Sequence, residues 1–543
     1  MRPMTKILLL FVNLLALVAA CDGGRAAAWD RPRKLLGPVP LQDRIAWVDG
    51  ARDRVVLVEV SVPPHVYSIP IGRRAIWAAP TPDRKRLAVI TRGEEARARG
   101  EQDEPPGLYL VDVTAPEAAP IRYEIGSPFD RLAVAADGSL AVAYFSEAGP
   151  DADGLFRNPN ELAIVNLGQA PGEENPLLRT VRSFGAAPLG VVLSPPMAIP
   201  DAEDPTPRTF AFVLAPGSVT VLDATYPKRR EVTVRLSLGS GGTGGGTGTG
   251  ATVTPREVVF APGACAAYLR ADGARDVLQI LLSFEAPTNP SPDTNDNDFQ
   301  PALAELGAGG APADVAVYDD VAGVRRVLVA TPGTHELTVI DADTGQFVSV
   351  DVGDPIDRVL LLPEDKPLVA VLASLGSHQA RVHLVDLAGI GARLVPPQVR
   401  TLTLEAPVFD VVAVPGRELA MVVHDDARTV LGLLDVAAAT IAPLEGAGRL
   451  DSYDFSASGG GYLIGATRGV RRVGLIDLRN LHPEDVRLDD LPTQVFALPS
   501  GAIVVDHGDP YGRVTLLPRA DARRDEAVVL SGFLLSGILN EEL

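Results

Sequence analysis

Ten times along the chain a short apolar strand recurs, mostly closing on an acidic residue, and that repetition limits what the sequence can fold into. The copies are VLVE (56–59), LYLVD (108–112), LAIVN (162–166), VTVLD (219–223), QILL (279–282), LTVID (337–341), VHLVD (382–386), LGLLD (431–435), VGLID (473–477) and VTLLP (514–518). Their spacing is about 53–60 residues in the first half and about 41–49 in the second. A period of 40–50 residues fits one four-stranded propeller blade. Residues 44–60 and 265–282 show the unit in full: a strand, a turn and the recurring strand, with the same five residues, Asp-Gly-Ala-Arg-Asp, at 49–53 and 272–276. Asp-Gly between apolar runs is a hairpin signal, because glycine accepts the positive φ of a tight turn.

The rest of each period supplies further short strands, several closed by proline as at 358–363, 409–415 and 495–499. Proline is tolerable where a ladder ends. No stretch of the mature chain carries the pattern and caps of a long amphipathic helix. Many short strands with Gly/Pro turns predict an all-β repeat, and radial closure would hide strand edges that otherwise invite aggregation. The predicted fold class is therefore a β-propeller of four-stranded blades over residues 44–543. One large ring is the expectation, with a seven- or eight-bladed ring or two smaller rings as alternatives. Residues 527–530 (AVVL) are expected to complete the first blade. Insertions are expected near 93–106, 146–160, 238–254 and 284–310; the third, LGSGGTGGGTGTGATVT, reads as a flexible linker.

The pattern V-x-L/V-I/L/V-D followed by Gly/Pro turns resembles the YVTN-type and quinoprotein-like propeller repeats. That resemblance implies a fold, not an activity. The tryptophan docking motif of pyrroloquinoline-quinone enzymes is absent, which leaves that cofactor without support.

Residues 1–20 have the layout of a secretory signal: Arg2 and Lys6, an uncharged apolar run, then small residues. The ending LVAAC (17–21) resembles a bacterial lipobox, with Val18 in place of the commoner leucine. The resemblance implies cleavage before Cys21 and lipid on that residue. Residues 21–43 would then be a tether, and the protein would sit in the bacterial cell envelope on the inner or outer membrane. The alternative is ordinary cleavage after Ala20. Stable anchoring needs more than one acyl chain, which a lipidated cysteine supplies.

Net charge is −20, and −22 once Arg2 and Lys6 leave with the signal. Such a balance excludes nucleic acid as a partner, since its binding rests on Lys and Arg neutralising phosphates. Only Cys21 and Cys265 occur. Cys265 lies in an apolar stretch and reads as a buried structural thiol, and the lack of any CxxC removes haem c and cysteine-ligated zinc.

Asp293, Asn295 and Asn297 have the alternating oxygen-ligand spacing of a calcium loop, so calcium is the one metal the sequence suggests. Asp298 and Ala304 stand where an EF-hand needs glycine and glutamate, and a solvated polar loop is the alternative. His335, His378, His424 and His507 fall in hairpin regions and could converge on one rim, although no HExxH accompanies them. The recurring Asp112, Asp223, Asp341, Asp386, Asp435 and Asp477 read as turn-makers that accept backbone N–H groups. With no GxSxG or SxxK present, no catalytic residue is assigned. The sequence thus favours a non-catalytic binding or scaffold lipoprotein with a protein or glycan partner. The alternative is a propeller-type enzyme, a lactonase-like hydrolase or an oxidoreductase, with its site in the central channel.

Overall fold

The computed structural model describes residues 35–535 except 97–101, 147–157, 170–176, 182–186, 203, 237–252, 262, 264, 290, 292–293, 364–365, 376–378, 392–393, 427–428, 447 and 457–460. Its strands form ten four-stranded sheets, each an antiparallel meander in sequence order. The blades span residues 35–70, 75–124, 131–181, 190–235, 254–306, 314–351, 358–403, 408–445, 450–487 and 494–531, numbered 1 to 10. All ten recurring motifs lie in the third strand of their blade. Each of the ten apolar clusters straddles two consecutive blades, and one of them joins blade 10 to blade 1. The chain is therefore a ten-bladed β-propeller.

The packing explains why the third strands stand out in the sequence. In the second strand of blade 6, Val327 and Val329 pack toward blade 5 while Leu328 and Ala330 pack toward blade 7. A strand buried on both faces reads as a continuous apolar run, since successive side chains point to opposite faces. Inner and outer strands have one freer face and read less clearly.

Three expectations are corrected. Blade 1 begins at Leu35–Pro40, which pairs with Arg44–Asp49, so residues 35–43 belong to the ring and not to a tether. The stretch 284–310 contains the outer strand Phe299–Leu306, paired along its length with Val277–Phe284, and the excursion shrinks to the connecting loop. The strand Val528–Ser531 is the outer strand of blade 10, not a completion of blade 1, which draws all four strands from its own segment.

The ring therefore closes through side-chain packing and a few hydrogen bonds, without a shared strand. Trp47 stacks on Phe533 at 4.8 Å, and the Arg54 guanidinium donates to the Leu534 carbonyl at 2.6 Å. The Ser500 amide donates to the Gln42 carbonyl at 3.0 Å. A related device ties other blades together. The guanidinium of Arg44, near the start of a second strand, donates to the carbonyl of Val113 in the next blade. Arg86 reaches Leu167 at 3.3 Å and Arg417 reaches Leu478 at 3.2 Å in the same way. Each of these carbonyls belongs to the residue just after the motif's last position, where the chain leaves its strand and the ladder no longer supplies a donor.

Candidate functional site

The motif carboxylates are turn-makers, as their repetition implied. Asp112 accepts the Thr114 amide at 2.8 Å, Asp341 the Thr344 amide at 2.9 Å, Asp386 the Ala388 amide at 3.0 Å and Asp435 the Ala438 amide at 2.9 Å. Asp223 accepts from Thr225 and Tyr226, and Asp477 from Arg479. The Arg479 guanidinium hydrogen-bonds to Asp477 and holds its pKa down to about 2.

Cys21 and Asp293 lie outside the described residues. Asn295 is exposed, whereas Asn297 is buried with neither side-chain amide atom hydrogen-bonded. The neighbouring Asp298 points into blade 4, where it accepts from Arg208 at 2.9 Å and pairs with Arg229. Arg208 also binds Asp223 at 2.9 Å, so this buried group anchors the loop of blade 5 to blade 4. Among the described residues no group of three His, Cys, Asp or Glu side chains could hold a metal ion.

Among the described residues the histidines do not converge. His378 lies outside the described residues, and His335 sits exposed in a turn with φ +62°. Buried His424 bonds the Pro407 carbonyl through Nδ1, and His507 lies between the Leu491 carbonyl and the Thr515 hydroxyl. Cys265 is buried and donates to the Ala198 carbonyl, and burial pushes its thiol up to about 11.

On the inner strands, which face the channel, polar groups are spent bridging blades. Asp314 accepts the Val359 amide at 2.7 Å, Ser452 the Val495 amide at 3.0 Å and Asp454 the Ala497 amide at 2.8 Å. Asp410 accepts the Tyr453 hydroxyl at 3.2 Å, and burial, with Asp410 alongside, pushes Tyr453 up to about 12. These bonds satisfy the free amide edge that an innermost strand presents.

A cavity of about 720 Å³ opens between blades 8 and 9. Its origin is Gly474, which faces Gly465 across the two middle strands of blade 9; a Cβ at Gly474 would meet nothing nearer than 3.8 Å, whereas the Leu450 side chain already fills the place of one at Gly465. Both glycines line the space, and at Gly474 blade 9 withdraws a side chain from its face toward blade 8. The walls are Leu431 and Leu444 of blade 8 and Leu450, Leu463 and Ile476 of blade 9. Polar residues gather around them: Glu445, Thr467, Arg472, Glu484 and Asp485. Its volume, with apolar walls and a few polar groups around them, falls in the range that small-molecule sites occupy. Sequence reasoning missed it. The two glycines come together only through the hairpin register, and a strand glycine signals close approach or lost packing without saying which.

One further arrangement was not foreseen. On blade 7 the Thr401 hydroxyl lies 3.0 Å from His383 Nδ1, and His383 Nε2 lies 3.0 Å from an Asp354 carboxylate oxygen. His383 and Asp354 are buried while Thr401 is exposed. Burial lowers the histidine's pKa despite the aspartate, which favours a neutral ring. With Asp354 accepting from Nε2–H, Nδ1 is left to accept the Thr401 proton. His383 and Thr401 lie on the third and outer strands, away from the channel, and Asp354 on the segment that leads into blade 7.

No family model and no curated protein matches the sequence. Among solved structures, the chain is similar to a dihydro-heme d1 dehydrogenase NirN in complex with DHE, at 12% identity and a TM-score of 0.40, covering 77% of this chain and 76% of that one. It is similar to a eukaryotic initiation factor at 11% identity and a TM-score of 0.43, covering 78% and 90%. A third is the β-propeller domain of Myceliophteria thermophila Cps50 (Swd1), at 12% identity and a TM-score of 0.32, covering 82% and 97%. Likeness at this level bears on no activity.

Proposed function

We propose that the chain is a non-catalytic binding module, held in the bacterial cell envelope by lipid on Cys21, with its ligand site between blades 8 and 9. The cavity carries this reading, because its walls, volume and polar surround suit a small ligand and its two glycines serve no turn. The channel-facing carboxylates are meanwhile engaged in bonds between blades, and the motif carboxylates in turns. Titration with Nile red, an uncharged apolar dye, should give saturable one-site fluorescence that Gly474→Phe abolishes. Identical titrations of the two proteins would refute the site. The anchor rests on Arg2 and Lys6, the apolar run and the small residues before Cys21. Cys21→Ser should move the protein from the membrane to the soluble fraction, and retention on the membrane would rule out lipid at that residue.

A second reading, a hydrolase, draws on the Thr401–His383–Asp354 row, in which an imidazole held by a carboxylate contacts an exposed hydroxyl. Turnover of p-nitrophenyl acetate that both Thr401→Val and His383→Gln remove would support it. Equal background hydrolysis by all three proteins would dismiss it.

A further inference from the structure

We infer that the ring is held on an anionic bilayer by one defined face, the face that carries the turns between second and third strands. The inference rests on the reading of Cys21 as the lipid anchor, and adds which surface of the protein meets the membrane. Strand polarity fixes the two faces. First strands of consecutive blades touch and line the channel, and Leu35 opens the first of them. Leu35 pairs with Asp49, at the end of the second strand, while Arg54, which opens the third, pairs with Pro70, where the outer strand ends. The chain therefore enters the ring at its inner rim, on the same face as the turn at 49–54. The end of blade 10 returns to this face, since Arg54 bonds the Leu534 carbonyl and the Gly532 amide bonds the Gly512 carbonyl in the corresponding turn of blade 10. Turns from first to second and from third to outer strands stand on the far face.

The chain before Leu35 reaches the far face only at near full extension. Cys21 and Leu35 are fourteen residues apart, and an extended chain covers at most about 3.3–3.6 Å per residue, so the lipid lies within ~50 Å of the inner rim. A route around the outside crosses four strands, about 15 Å, and then the height of a six-residue strand, about 20 Å, which uses most of that length before any lipid is reached. The near face needs no such detour. Composition favours close approach as well. The chain is acidic at −20, so the ring's own surface does not draw it to anionic lipid. Residues 22–34 instead carry Arg25, Arg31, Arg33 and Lys34 against Asp22 and Asp30, with Trp29 among them. Basic residues beside a lipid anchor are drawn to an anionic surface within a Debye length, and tryptophan favours the headgroup level. The two most exposed large apolar side chains among the described residues, Val62 at 72% and Val321 at 77%, stand in turns of the far face, and the inference points both away from the bilayer.

The test is energy transfer from a fluorophore on single engineered cysteines to acceptor-labelled lipid. It uses the full-length protein from a bacterial host that processes lipoproteins, in vesicles of phosphatidylcholine and phosphatidylglycerol. Thr334→Cys and Arg468→Cys lie in second-to-third turns, Val62→Cys and Val321→Cys on the far face, and all four positions are exposed. An acylated Cys21 has no free thiol and Cys265 is buried, so the added cysteine takes the label. Thr334 and Val321 share blade 6, which separates facing from tilt. Labels at Thr334 and Arg468 should read about 20 Å closer to the lipid surface than those at Val62 and Val321, the height of a strand. Replacing Arg25, Arg31, Arg33 and Lys34 together by glutamine should lengthen the near-face distances on these vesicles and leave them unchanged on phosphatidylcholine alone. A quadruple variant indistinguishable from wild type would overturn the part assigned to anionic lipid. Equal distances from the two faces would overturn the choice of face. So would the reverse order, whether the chain threads the channel or Val62 and Val321 dip into the bilayer. If the protein does not float with the vesicles, Cys21 carries no anchor and the inference falls with it.

Discussion

Gly474→Val isolates the cost of the cavity to the fold. A Cβ at this position would meet only the Asp485 side-chain oxygen and the Gly465 carbonyl oxygen, both at 3.8 Å, so there is room for a larger residue. Valine adds three carbons, worth about 2.4 kcal/mol at ~0.8 kcal/mol per buried methylene. The position is only half-buried, so about half of that is realised. The better fit of a β-branched residue than glycine on a strand adds up to ~1 kcal/mol. The expected net gain is about 2 kcal/mol, or a rise of roughly 2–4 °C in melting temperature for a domain of a few hundred residues. Gly432→Val on blade 8 is the control. There a Cβ would fall 2.5 Å from the Ile441 Cδ1, and overpacking of this kind costs about 1–3 kcal/mol. Differential scanning calorimetry of both variants without ligand reads the two signs. Destabilisation by Gly474→Val, or stabilisation by Gly432→Val, would show that the space between blades 8 and 9 is not the open cavity described. Together with lost Nile red binding, a stabilised Gly474→Val protein would show that the wild-type chain forgoes stability to keep the cavity open.

Burial raises the Asp506 carboxyl to about 6, so the folded state holds its proton more tightly than the unfolded chain, and stability should fall as pH rises from about 4 to 6. Asp506→Asn should flatten the melting-temperature profile over that window and stabilise the protein at pH 7, and a profile as steep as wild type would refute this. Asp298→Ala leaves Arg208 and Arg229 without a carboxylate that both use, and should destabilise by about 3–5 kcal/mol in urea unfolding. Phe533→Ala should cost about 3–5 kcal/mol and raise hydrogen exchange first in blades 1 and 10, with no such localisation if the seam is not where the ring closes. Cys265 in a protein whose Cys21 is replaced should resist an aromatic disulfide reagent at pH 8 until the ring unfolds; rapid labelling of the native protein would contradict its burial.

The architecture was legible where burial is two-sided. Every third strand announced itself because both of its faces pack on a neighbouring blade, and its terminal carboxylate was read correctly because turn capping is local. Leu35–Pro40 was missed because Gly37, Pro38 and Pro40 look like a break, yet an innermost strand pairs along only one edge and tolerates them. Phe299–Leu306 hid for a related reason: it is an outer strand with alternating exposure and a proline at 301. The site was not legible at all. Gly465 and Gly474 matter through their pairing, the Thr401 row gathers residues from two strands and a connecting segment, and the arginine ties span whole blades. None of these distances is written in local sequence pattern.

Because blades 1 and 10 each draw all their strands from one segment, the seam exchanges no strand and is held by facing side chains, a backbone bond from Ser500 to Gln42 and a short tail. The ring is thus assembled from interchangeable sectors, and its circumference is set by how many sectors the gene supplies. Duplicating or deleting one blade shifts no strand register elsewhere. A circular permutant opened between blades 5 and 6, with the present ends joined, should rebuild the same ring with its seam on the opposite side.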